Sequence, residues 1–142
     1  LEIETNGLKE ACEELGVIIV ACSPIGRGIL SFIDDFEPDD FRKFLPRFMG
    51  DNFTKNLEFV KEIGKIAEKK GVTPSQLSLA WILAQGENII AISGTKKIKY
   101  LKENGHPANA KLTIEELAEI RKIIDSIEIA GNRPSNDFSL QK

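Results

Sequence analysis

Two apolar runs without polar alternation, Val17-Ile18-Ile19-Val20-Ala21-Cys22 and Ile89-Ile90-Ala91-Ile92, constrain this chain more than any other feature. A strand with one solvated face alternates apolar and polar residues; one that is apolar throughout is covered on both faces, as in a parallel sheet layered with helices. The flanking segments read as those helices. Leu8 to Leu15 stops at Gly16, and Leu57, Val60, Ile63 and Ala67 recur at helical spacing through Lys70. Thr73-Pro74-Ser75-Gln76 is a capping box that opens a helix running to about Gln85. A basic stretch after Thr95 predicts a helix ending near Asn104. A second box, Thr113-Ile114-Glu115-Glu116, starts the last helix, with Leu117, Ile120, Ile124 and Ile127 as its inner stripe. A long irregular stretch carries Phe32, Phe36, Phe41, Phe44, Phe48 and Phe53, and from Gly131 the sequence reads as a loose tail.

Parallel strands separated by helices make an α/β fold, but two strands cannot bury both faces of a sheet alone. A closed eight-stranded barrel takes about 250 residues, and this chain has 142. It therefore reads as the last part of a larger α/β fold, and Leu1 in place of an initiating Met agrees with that.

Nineteen basic against 22 acidic residues give a net charge of −3, which disfavours a general nucleic-acid or anionic-membrane partner and requires any anion site to be local. No apolar run is long enough to span a bilayer. Cys12 and Cys22 sit in apolar stretches and read as buried thiols of a reducing, cytoplasmic setting. The single histidine, His106, is too isolated for a metal cluster or a nucleophile–base arrangement, so no metal ligands are assigned.

Two constellations follow the two strands. In Ser23-Pro24-Ile25-Gly26-Arg27-Gly28 the glycines let backbone approach an anion and Arg27 offers a planar fork to a phosphate; a tight strand exit with a solvated arginine reads equally well. Gly94-Thr95-Lys96-Lys97 opens a helix whose first turn would gather Lys96, Lys97, Lys99 and Lys102. Cations there oppose the helix dipole, which suggests a bound anion, the alternative being a solvated basic helix. Two phosphate-friendly loops on one edge suit a dinucleotide with an extra ribose phosphate, NADPH rather than NADH.

Val17–Gly28, Asp40-Phe41-Arg42 with Pro46-Arg47-Phe48, Lys69–Leu77 with Ala80-Trp81, and Ser93–Asn104 together closely resemble the C-terminal part of aldo-keto reductases. Within that superfamily the chain looks most like the branch of pyridoxal reductase and auxin-induced-type reductases. The resemblance implies the C-terminal portion of a (β/α)8 TIM barrel, incomplete as given. Residues 1–130 would belong to an NADP-dependent oxidoreductase domain and 131–142 to a tail. It also implies NADPH-dependent reduction of a small carbonyl substrate, an aldehyde or ketone, to the alcohol.

Carried over by position, Ser23, Ile25, Gly26 and Arg27 would wrap the pyrophosphate. Gly94, Thr95, Lys96 and Lys97 would hold the ribose phosphate, Glu103 and Asn104 the adenine, and Asp40 to Asn52 would lie over the cofactor and line part of the substrate mouth. Cys22 stands where the family usually has a tyrosine that stacks on the nicotinamide, and Gly105-His106-Pro107 interrupts a small-residue run. The family's Tyr, Lys, Asp and His for acid–base work come from the first four strands. Here Tyr100 reads as a packing residue and His106 as solvated, so no catalytic residue is assigned. The N-terminal half of the barrel, in the same chain or a complementing one, would be required. A truncated, non-catalytic nucleotide-binding or protein-interaction relative is the alternative.

Overall fold

The computed structural model describes residues 2–31, 36, 38–106 and 110–132. Strands β1 (Ile19–Cys22) and β2 (Ile89–Ile92) pair in parallel, Ile19 opposite Ile89 and Cys22 opposite Ile92. The helices are α1 (Leu8–Glu14), α2 (Gly50–Lys70), α3 (Pro74–Leu83), α4 (Ile98–Asn104) and α5 (Ile114–Ser126), with 3₁₀ turns at Gly26–Ser31, Phe41–Phe44 and Pro46–Phe48.

Both capping boxes form as read: Thr73 and Gln76 close the start of α3, and Thr113 and Glu116 that of α5. Helix α2 begins at Gly50 rather than Leu57. The inward position one turn before Val60 is Asn56, a polar residue only 2% exposed, so an apolar count misses that turn. Helix α3 stops at Leu83, short of Gln85, whose side chain bonds the Trp81 carbonyl at 2.8 Å. Strand β1 starts at Ile19 rather than Val17, because the Val17 amide donates to the Cys12 carbonyl and closes α1 instead of joining the ladder.

The core is helical. Leu30, Val60, Ile63, Ile66, Ala67, Leu77, Trp81 and Ile120 form one buried cluster where α2, α3 and α5 meet. Helix α3 is largely apolar and buried on more than one side because it lies between that cluster and the sheet, packing on β2 as well. Lys70, at the end of α2, holds both carboxylate oxygens of Glu116 at 2.8 Å and so docks α5. Arg121 joins α5 to Glu4 at 2.7 and 3.1 Å and lies over the Trp81 ring.

The expectation of strands covered on both faces holds for one face only. Ile89 is buried under α3, whereas Val20, Ile90 and Ile92 are at least half exposed. The described residues contain no third strand or second helix layer to cover that side. For the same reason Cys22 is exposed, and Cys12 is only half-buried, not the buried thiols expected.

Gly131 is likewise not loose: the Arg47 Nε donates to its carbonyl at 3.1 Å. A Cβ there would lie 2.8 Å from the backbone of Pro46 and Arg47, and its φ of +89° excludes most side chains. Asn56 completes this closure, bonding the backbone of Ala130 through both amide atoms and donating to the Arg47 carbonyl. The rest of the expected tail, 133–142, lies outside the described residues.

Candidate functional site

Because Cys22 pairs with Ile92, the loops that follow leave side by side from the carboxyl edge of the sheet. The first is the more constrained. Ser23 has φ 52°, and Pro24 is buried with its carbonyl bonded by the Ser78 hydroxyl of α3 at 2.9 Å. Gly26, Arg27 and Gly28 then follow with φ of 58°, 59° and 95°. A left-handed residue with a Cβ costs about 1–2 kcal/mol, so Arg27 holds this conformation only because its surroundings impose it. Ser23 and Arg27 are exposed, while Ile25 packs against the core.

The restraint on Arg27 comes from a side chain that sequence reasoning placed only within the Asp40 to Asn52 segment, with no contact to Arg27. Arg42 donates through Nη1 to the Arg27 carbonyl at 3.0 Å. Its Nε bonds both oxygens of Asp40 at 2.9 and 3.1 Å, Nη2 also donates to Asp40, and the guanidinium sits 5.0 Å from the Phe36 ring centre. Asp40 in turn caps the 3₁₀ turn by accepting from the Arg42 amide, and these Arg42 hydrogen bonds hold its carboxyl down to about 2. The only sequence signal was the Asp-x-Arg spacing of an Asx turn.

The second loop is bare. Gly94, Thr95, Lys96 and Lys97 are all exposed, and the local ties both join Thr95 to Lys97, the Lys97 amide donating to the Thr95 hydroxyl at 3.1 Å and that hydroxyl lying 3.5 Å from the Lys97 carbonyl. Helix α4 starts at Ile98, so Lys96 precedes it, Lys97 is its uncapped N-cap, and only Lys99 lies in the first turn. Lys102 is in the last turn, where a cation suits the dipole. The expected gathering of cations in the first turn thus reduces to Lys99, with Lys97 at the N-cap. Both ammonium groups lie over the Tyr100 ring, 5.7 and 5.8 Å from its centre. Tyr100 is 39% exposed rather than packed. None of these lysines pairs with a carboxylate among the described residues.

Further along α4, Glu103 accepts from the Thr73 hydroxyl at 2.8 Å and its carbonyl from Gln76, which fixes α4 to the start of α3. Asn104 is half-buried beside it. His106 is exposed, a ring nitrogen 2.6 Å from the Lys102 carbonyl. No group of three His, Cys, Asp or Glu among the described residues could hold a metal ion, and none of the described helices is long and apolar enough to cross a membrane.

Comparison with known proteins places the arrangement. The model of the aldo/keto reductase family matches residues 1–125. The chain is 55% identical over 130 residues to aldo-keto reductase str7 of Strobilurus tenacellus, covering 89% of this chain and 39% of that one. It is 47% identical over 139 residues to aldo-keto reductase yakc of Schizosaccharomyces pombe, whose name carries NADP(+), covering 94% of this chain and 41% of that one. It therefore spans about two-fifths of the length of these relatives.

Among solved structures, a glycerol dehydrogenase from Gluconobacter oxydans superposes with a TM-score of 0.64 at 27% identity, over 87% of this chain and 39% of that one. A thermostable aldo-keto reductase in complex with the inhibitor epalrestat gives 0.60 at 26% identity, over 85% and 35%. The two-stranded α/β layer is thus a portion of a TIM barrel, and the bare side of β1 and β2 is the one that further strands of the barrel would cover.

Proposed function

The chain belongs to the aldo/keto reductase family, and from that premise we propose that it supplies the part of an oxidoreductase that holds NADPH. The observation that carries this reading is the strand register, which sets a strained, arginine-bearing turn beside a loop of uncompensated lysines on one sheet edge. The donor set fits a dinucleotide with three phosphates. Ser23, Gly26, Arg27 and the main chain of Ile25 take the pyrophosphate; Gly94, Thr95, Lys96 and Lys97 take the ribose phosphate.

Like charges gathered without a counter-ion repel one another, and a dianionic phosphate removes that repulsion with charge-assisted hydrogen bonds. Asn104 and the second carboxylate oxygen of Glu103 are left to meet the adenine, since the first is taken by Thr73. When bound, the nicotinamide supplies the hydride that reduces an aldehyde or ketone to an alcohol. The segment from Asp40 to Asn52 lines the mouth through which a small carbonyl compound enters. This chain holds and orients; the proton donor comes from the N-terminal strands of the barrel, in the same chain or a complementing one, which also cover Val20, Ile90 and Ile92. The setting proposed is cytoplasmic, with no nucleic-acid or membrane partner.

The test is a fluorescence titration of the full-length protein with Lys96→Glu and Lys97→Glu combined. Each lost charge-assisted contact costs about 1.5–3 kcal/mol, so NADPH affinity is expected to fall at least a hundredfold while NADH affinity changes little. Equal loss of both cofactors would refute the ribose-phosphate assignment.

A further inference from the structure

The peptide between Arg27 and Gly28 is held from both sides. Its carbonyl accepts from the Arg42 guanidinium at 3.0 Å, and its N–H, that of Gly28, donates to the Ile25 carbonyl at 3.0 Å. Rotating that peptide plane, which would change ψ of Arg27 from 28° and φ of Gly28 from 95°, breaks both bonds at once. The guanidinium cannot follow such a rotation. Asp40 grips it through two nitrogens, and the Phe36 ring lies against it. Asp40 and Arg42 are in turn anchored by a turn of their own, the Arg42 amide donating to Asp40 at 2.9 Å.

We propose that Arg42 is a positioning residue for the dinucleotide. Its fork transmits the rigidity of the Asp40–Phe44 turn to the Arg27–Gly28 peptide and so fixes the direction in which Arg27 and the glycine-flanked main chain face the pyrophosphate. This deepens the reading of the two loops as an NADPH site and rests on it. Arg42 is a partner of the turn rather than of the ligand, so its effect falls on the portion common to NADPH and NADH. That separates it from Lys96 and Lys97, which face the phosphate found only on NADPH. Lysine cannot replace it, because a single ammonium does not present a planar fork to Asp40 and a carbonyl at the same time.

The test has two arms, each on the full-length protein with Arg42→Ala, Arg42→Lys and Asp40→Asn. In amide hydrogen exchange without cofactor, Gly28 is expected to lose at least tenfold protection in both Arg42 variants, while Val60 and Leu79 of the helical layer keep theirs. In cofactor titration, Kd is expected to rise about tenfold for NADPH and by the same factor for NADH, without rescue by lysine. Asp40→Asn, which leaves the guanidinium in place but loosens its grip, is expected to give a smaller change of the same kind and serves if the alanine variant does not fold. Unchanged protection at Gly28, or a loss confined to NADPH, would overturn the proposal. Failure of the unaltered protein to bind either cofactor would instead sink the dinucleotide reading on which it rests, and the exchange arm would still show whether Arg42 holds the turn.

Discussion

The loop after β1 is tied to two other parts of the molecule and to itself, whereas the loop after β2 is, among the described residues, tied only within itself and to the helix it opens. Ser78 holds Pro24 and Arg42 holds Arg27, with the Ile25 carbonyl receiving Gly28 inside the loop; against these stand the short-range bonds between Thr95 and Lys97 and the first bond of α4, from Leu101 to the Lys97 carbonyl. The difference teaches how the two proposed anion sites would be built. In the first, backbone geometry is prepared before a ligand arrives, and strain at Ser23 and Arg27 is absorbed by neighbouring elements. In the second, little is prepared and charge is simply concentrated, with two ammonium groups against one tyrosine ring. On the proposed NADPH reading, the prepared loop would suit a group that must sit in one place for chemistry to occur, and the charged loop would suit recognition of an extra phosphate.

The largest effect by which that division can be broken is on turnover. On the proposed reading both loops would position, and the tyrosine and histidine near the second are occupied: Tyr100, in α4, lies among lysines, and His106, after α4, has a ring nitrogen against the Lys102 carbonyl. General acid catalysis contributes a factor of about 10²–10⁴, and the strands that would supply it are not among these residues. Residues 1–142 alone are therefore expected to leave NADPH unoxidised in the presence of an aldehyde, read as constant nicotinamide absorbance. Turnover lost on Tyr100→Phe or His106→Ala would move the proton donor into the charged loop and end the comparison.

A smaller effect sharpens it. At Gly26 the φ is +58° and a Cβ would lie 2.8 Å from Ile29 Cγ2, whereas nothing lies within 4 Å of a Cβ at Gly94. Gly26→Ala is expected to cost about 1–2 kcal/mol from the left-handed backbone, with a further small loss as Ile29 moves. Gly94→Ala is expected to stay within about 0.5 kcal/mol, like other surface changes. Paired chemical denaturation of the two variants measures both, and equal costs would mean that the first loop is no more prepared than the second.

Much of this was legible in the sequence, for reasons that differ by region. Both strands, both capping boxes and both strand-exit loops are local signals, set by β-branched runs and by side chains three residues from the groups they cap. Asn56 and Gly131 were not legible, because each depends on chain segments far apart meeting: Asn56 reaches Ala130, and Gly131 lies against Pro46. The one-sided exposure of Val20, Ile90 and Ile92 was hidden by the run itself, which records how the strands are covered in a complete barrel rather than what covers them here. Arg42 was visible as part of a motif, but its contact with Arg27 crosses an irregular stretch whose path no periodicity predicts.

The smallest effect concerns acid. Asp40 is held down to about 2 by its hydrogen bonds from Arg42, so its carboxylate is ionised in the folded protein well below the pH at which a free one is protonated. A depressed carboxyl stabilises the folded form above its unfolded pKa, and that contribution fades as pH falls through the folded value. The tie between Arg42 and Asp40 is thus complete above about pH 4 and is lost toward the value of about 2. The second loop, whose lysines pair with no carboxylate among the described residues, has no corresponding switch. Intrinsic amide exchange rates change with pH, so the measurement is the protection factor, taken at Gly28 and at Lys97 between pH 6 and pH 2.5. Gly28 is expected to hold constant to about pH 4 and then decline, with Lys97 flat throughout once global unfolding is subtracted. Asp40→Asn should remove the decline at Gly28; if the decline survives that substitution, the acid sensitivity of the first loop belongs to another group and the tie through Arg42 is not what sets it.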